Sequence, residues 1–184
     1  MSDDDRSVPL LVLGLGNVLC GDDGLGAVAV HLLQRRYRAP DGALVLDGGT
    51  LGLSLLPYLE QAKDAILVDA IRADGAPGTF VRLEGDDVAP AVAARLSVHQ
   101  VGVLDLLEAA RWRGRCPPRL VLLGLVPQSL ELGLGRTSTV EAALPGLVER
   151  VVAEASSLGH LFLPRTGDEA ALLGPDAVAH VYGL

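Results

Sequence analysis

Three places in the chain carry side chains that could do chemistry together. Asp22 and Asp23 follow the glycine loop Gly14-Leu15-Gly16, Asp69 closes the apolar run Ala65-Ile66-Leu67-Val68, and His99 sits within Ser97-Val98-His99-Gln100. Two carboxylates and an imidazole form a donor set for a divalent ion such as nickel or zinc, with positions left over for water or substrate. The set contains no thiolate, so it binds weakly unless another group completes the shell. Plainer roles compete with this one. Either Asp22 or Asp23 could be the N-cap of a helix, its carboxylate accepting free backbone N–H groups, though both cannot hold that position. His99 could be a polar first-turn residue bonded to a backbone carbonyl. Asp69 resists a plain reading, because a buried apolar run that ends in a carboxylate and resumes with Ala70-Ile71 needs that acid paired, hydrogen-bonded or liganded.

The elements around these residues are legible as alternating strands and helices. Leu10 to Leu13 is a short apolar run that reads as a strand covered on both faces, and Gly14 and Gly16 free the backbone to turn after it. Leu25, Val28, Ala29 and Leu32 recur at helical spacing and predict a helix from Leu25 to Arg38. Further apolar strands are expected at 43–46 (ending at Asp47), 65–68 (ending at Asp69), 79–83 and 120–125, with 79–83 near an edge because Arg82 interrupts it. A helix is expected over 51–61. Ser97 and Gln100, and again Ser138 and Glu141, have capping-box spacing ahead of apolar helical faces. This order predicts an α/β domain with a mainly parallel sheet and helices on both faces, spanning residues 1–158. From Gly159 to Leu184 glycines and prolines break the pattern, and this stretch is expected to be an extension, packed on the domain or partly disordered. In such a sheet the functional crevice lies beyond the carboxyl ends of the strands, where Asp23, Asp69 and His99 can meet.

Composition narrows the function classes. A chain of 184 residues supports one core, and its apolar runs are too short to span a bilayer despite a 49% hydrophobic fraction. A net charge of −8 opposes nucleic acid and anionic lipid, leaving proteins or small molecules as partners. The acidic start MSDDDRSVP lacks the basic and apolar regions of a secretory signal, so a cytoplasmic location is expected. Cys20 and Cys116 lack metal-ligand spacing and read as buried thiols, with Cys20 a lesser candidate for reactivity. His31, His160 and His180 read as surface or packing histidines.

The glycine loop also raises dinucleotide binding as the alternative, in the form of a non-catalytic Rossmann-like nucleotide-binding module. Gly14 and Gly16 supply two glycines of G-x-G-x-x-G, but Leu19 stands where the third belongs. Two acids at the helix start further oppose a pyrophosphate. No G-x-S-x-G elbow for a serine hydrolase is present.

Five stretches, GLGNVLCGDDGLG at 14–26, DGGT at 47–50, LVDAI at 67–71, SVHQVG at 97–102 and PQSLELGLG at 127–135, together resemble the hydrogenase maturation endopeptidases. These enzymes trim the C-terminal tail from the large subunit of nickel-iron hydrogenases. The resemblance implies a Rossmann-like three-layer α/β/α fold with a mainly parallel five-stranded sheet. It also implies an aspartate-dependent, metal-recognising endopeptidase in which Asp23, Asp69 and His99 face the nickel of the precursor, with Asp23 and Asp69 as the catalytic carboxylates. The first position is often glutamate in that family, so the shorter Asp23 leaves open whether it or Asp22 faces the site. The nickel arrives with the hydrogenase large-subunit precursor, and no tightly bound metal of the enzyme's own is expected.

Overall fold

The computed structural model of the chain describes residues 7–93 and 101–166. The first strand, β1 (Val8–Leu15), is hydrogen-bonded in parallel to β3 (Leu44–Gly49) on one side and β4 (Ala62–Ala70) on the other. β4 pairs in parallel with β6 (Arg119–Leu125), and β5 (Phe80–Glu84) closes the far edge antiparallel to β6. The five-stranded sheet therefore runs β3-β1-β4-β6-β5. Arg82, the residue that argued for an edge, lies on β5 and binds Glu154 through Nε and Nη2 at 2.8 and 2.9 Å.

Alternation of side chains along each strand divides the apolar residues between two layers. Leu10, Val12, Ile66, Val68, Val121 and Leu123 pack on one face, under α1 (Leu25–Arg36) and α5 (Ser138–Ser157). Leu11, Leu13, Ala65, Leu67 and Leu122 pack on the other, under α2 (Leu56–Gln61), α3 (Val88–Ala93) and α4 (Val101–Trp112). This is the expected three-layer α/β/α arrangement, and its doubly covered sheet explains why β1 and β4 read as unbroken apolar runs. Among the described residues no helix is long and apolar enough to cross a membrane.

Several boundaries differ from the sequence expectation for local reasons. Asp47 and Asp69 lie inside β3 and β4, not after them, because the ladders continue to the rim of the sheet. The first helix stops at Arg36, where Tyr37 turns extended and begins β2 (Tyr37–Arg38), paired antiparallel with β7 (Leu163–Pro164). A two-residue strand thus forms where Gly159 and Pro164 argued against any regular element. The helix expected over 51–61 is split into a 3-10 turn, Gly52–Leu55, and α2, with Pro57 accommodated in the first turn of α2. Ser138 and Glu141 do not form a capping box. Thr137 holds the N-cap position of α5, and Glu141 accepts from Arg136 Nε at 2.6 Å. The Ser97–Gln100 spacing lies outside the described residues, whereas the expected apolar face Val103, Leu106, Leu107 and Ala110 of α4 is buried.

Candidate functional site

The strand order reverses around β1: the chain leaves it for β3 on one side and returns to β4 on the other. Such a reversal leaves a crevice at the carboxyl ends of the two diverging strands. Asp23 follows β1 and Asp69 lies one residue from the end of β4, so the two expected carboxylates flank this boundary.

Glycines set the closeness of the approach. Gly16 has φ +110°, and a Cβ there would fall 1.8 Å from the Asp23 carbonyl oxygen, so the turn folds back onto itself only with glycine at this position. Gly26, in the first turn of α1, lies so near the sheet that a Cβ would meet Val68 O at 2.1 Å and Leu15 O at 2.4 Å. Gly26 therefore performs the close helix-to-sheet packing that the third glycine provides in a dinucleotide fingerprint, while Leu19 points outward and is exposed. A 3-10 turn, Gly21–Gly24, is inserted between the loop and α1, carries both acids and packs against β4.

The two neighbouring aspartates have different roles, and neither caps α1, whose N-cap is Gly24. Asp22 is wholly buried and is a staple between two loops. Its Oδ2 accepts the backbone N–H groups of Gln128 and Ser129 at 2.8 and 3.0 Å and the Thr137 hydroxyl at 3.0 Å. Its Oδ1 accepts the N–H of Thr137 at 2.7 Å. Burial works to raise the Asp22 pKa, but the backbone donors Thr137, Ser129 and Gln128 and the Thr137 hydroxyl outweigh it and hold the carboxyl below its ordinary value. The same loops are joined along their backbones, Gly21 N to Gly133 O at 3.0 Å and Gly133 N to Leu19 O at 2.8 Å.

Asp23 is buried as well, and only half satisfied. Its Oδ2 accepts the N–H of Asn17 at 2.7 Å, whereas Oδ1 has no hydrogen-bond partner among the described residues. An ionised carboxylate oxygen withheld from water needs a cation or a donor. With Asp22 fully engaged by one loop, Asp23 is the member of the pair with capacity for a ligand. Asp69, also buried, accepts the N–H of Ala70 through Oδ1 at 2.7 Å. His99, the expected third member, lies outside the described residues, and among those described no three His, Cys, Asp or Glu side chains gather into a metal-sized group. The start of α4 is nonetheless held against the rim, since a Cβ on Gly102 would come within 3.1 Å of Gly52 Cα.

Two of the histidines read as surface or packing side chains have acidic partners. His31 Nε2 lies 3.1 Å from Asp47 Oδ2, and Asp47 Oδ1 also accepts the N–H of Gly49 at 2.9 Å. His160 Nε2 lies 2.6 Å from Asp64 Oδ2 at the opposite end of the sheet, where Arg119 also binds the buried Asp64. Pairings across 16 and 96 residues leave no local pattern, although a carboxylate leading the apolar run of β4 was a signal for the second. His180 lies outside the described residues. Cys20 and Cys116 are half-buried and neither forms a disulfide.

Comparison with known proteins agrees with this architecture. A family profile described as hydrogenase maturation protease matches residues 28–154. The hydrogenase 2 maturation protease of Escherichia coli K12 is 40% identical over 157 residues, covering 85% of this chain and 96% of that protein. The hydrogenase expression/formation protein HupD of Bradyrhizobium diazoefficiens is 46% identical over 131 residues, covering 71% of this chain and 67% of that one. Among solved structures, the hydrogenase maturating endopeptidase HybD from Escherichia coli superposes with a TM-score of 0.81 at 38% identity, over 86% of this chain and 98% of its own. The fold, the extent of the match and the identity together show that the chain belongs to the hydrogenase maturation protease family.

Proposed function

We propose that the chain removes the C-terminal tail of a nickel-iron hydrogenase large-subunit precursor after nickel has been inserted, reading the substrate's nickel with Asp23, Asp69 and His99. The observation that carries this reading is the buried Asp23 Oδ1, which lacks a partner among the described residues, on a turn that packs against the strand bearing Asp69. A cation brought by the substrate satisfies that oxygen, and a thiolate-free set of carboxylate and imidazole donors suits a metal that is bound in passing. Recognition and cutting are then linked. A precursor without nickel leaves the carboxylates without their counter-charge and is not held in register for cleavage.

For the chemical step, Asp69 or Asp23 acts as general base toward a water, whose oxygen attacks the scissile carbonyl carbon. The abstracted proton then passes to the departing amine as the C–N bond breaks. Nickel, as part of the substrate, fixes the precursor against the two strand ends.

The test is to mix the purified chain with nickel-loaded and nickel-free precursor and determine the product masses. Loss of a C-terminal peptide from the loaded form alone is the expected result. Unchanged mass in both forms contradicts the function, and equal cleavage of both contradicts nickel reading.

A further inference from the structure

Asp22 uses both carboxylate oxygens to fix the loop that runs from Gln128 to Thr137. What that loop presents outward is apolar. Leu132 is 87% exposed and Leu134 63% exposed, and they flank Gly133, the residue whose N–H and carbonyl bind Leu19 O and Gly21 N. Leu19, itself 51% exposed, lies in the loop that leads into the turn carrying Asp23. Three leucines thus stand around one backbone bridge, on a ledge held rigid by a buried carboxylate. Leu132 and Leu134 stand on either side of Gly133, which makes an isolated bridge to Cys20. Leu130, at the inner end of this loop, packs on the core and anchors it.

An exposed apolar group beside a crevice marks a contact surface when the scaffold beneath it is rigid. Glu131, exposed next to Leu132, and the net charge of −8 oppose insertion into an anionic membrane. They favour a polypeptide whose apolar residues lie next to Lys or Arg. We infer that the ledge of Leu19, Leu132 and Leu134, with Glu131, is the specificity-determining surface for the protein substrate, gripping an apolar, basic-flanked segment of the precursor beside the turn that carries Asp23. This rests on the proposed precursor-processing function. The leucines are specificity residues, while Asp22 is a positioning residue that ties the ledge to the turn carrying Asp23.

The test measures affinity of the full chain for immobilised nickel-loaded precursor, alongside steady-state cleavage and thermal melting. Leu132→Asp combined with Leu134→Asp is expected to weaken binding at least tenfold and raise KM in proportion, with kcat within twofold and an unchanged melting temperature. Glu131→Lys is expected to weaken binding and reverse its salt dependence. Trp112→Asp, at the C-terminal end of α4 and 90% exposed in the wild-type chain, is expected to alter neither, which separates the ledge from general surface apolarity. Wild-type chain that fails to bind precursor, or a double variant that binds within twofold of wild type, overturns the inference. So does a double variant that loses only self-association in sedimentation, which identifies a second copy as the occupant. Precursor bound through the leucines but never shortened contradicts the proposed function and leaves the ledge standing.

Discussion

Replacing Asp22 by alanine removes the acceptor for three backbone N–H groups, those of Gln128, Ser129 and Thr137, and for the Thr137 hydroxyl. A hydrogen bond to a charged group contributes about 1.5 kcal/mol at the low end of its range, so the three backbone donors together account for about 4.5 kcal/mol. Release from burying a carboxylate offsets part of this, leaving a net loss of about 3 kcal/mol. For a chain of this size that corresponds to a fall in melting temperature of about 6–12 °C. Because the folded-state pKa of Asp22 lies below its ordinary value, its contribution is present above the unfolded pKa, near 3.8, and is lost as pH falls through the folded pKa. The gap between wild type and Asp22→Ala should therefore narrow in acid. Calorimetric melting from pH 7 to pH 3 measures the gap, and hydrogen exchange at the amides of Gln128, Ser129 and Thr137 shows whether the loop is what loosens. A melting temperature within 2 °C of wild type at pH 7, or a gap constant with pH, would refute the staple.

Other substitutions probe the approach of the turn to the sheet and the far end of the molecule. Gly26→Ala places a Cβ 2.1 Å from Val68 O, which forces α1 off the sheet, with an expected loss of more than about 3 kcal/mol in urea denaturation and severe loss of activity. Full stability would mean that the helix has room to move. His160→Ala removes the hydrogen bond to the buried Asp64 carboxylate, for an expected cost of about 1.5 kcal/mol and a melting shift of about 3–6 °C, with kcat unchanged because this pair lies at the opposite end of the sheet from Asp23. An altered kcat would show that the C-terminal segment communicates with the crevice.

The parts of the fold visible in the sequence were those governed by local periodicity. Leu10 to Leu13 announced itself as a doubly covered strand and Ala65 to Val68 as an apolar strand, and the spacing of Val103, Leu106, Leu107 and Ala110 gave the inward face of α4 correctly. The face of α1 was only roughly placed. Val30 and Leu33 are fully buried, while the expected Val28 and Leu32 sit at its margin, because α5 covers the helix from the side. Asp69 stood out because an acid is conspicuous at the end of an apolar run, and the Asp22-Asp23 pair because it stands between a glycine turn and a helix face. Asp22 could not be told from Asp23, since its partners lie 106 to 115 residues away in a loop with no periodicity. The third-glycine problem had the same origin: Gly26 makes the close contact, and the inserted turn moved it out of fingerprint spacing.

Neutralising Asp23 alone addresses the central claim most directly. Asp23→Asn preserves the size of the side chain and an acceptor for the Asn17 N–H, while removing the charge offered to the substrate's nickel. Mass analysis of nickel-loaded precursor after incubation with this variant, at a melting temperature matched to wild type, is predicted to show uncut precursor where the wild-type chain yields the shortened product. Cleavage at the wild-type rate would contradict the account.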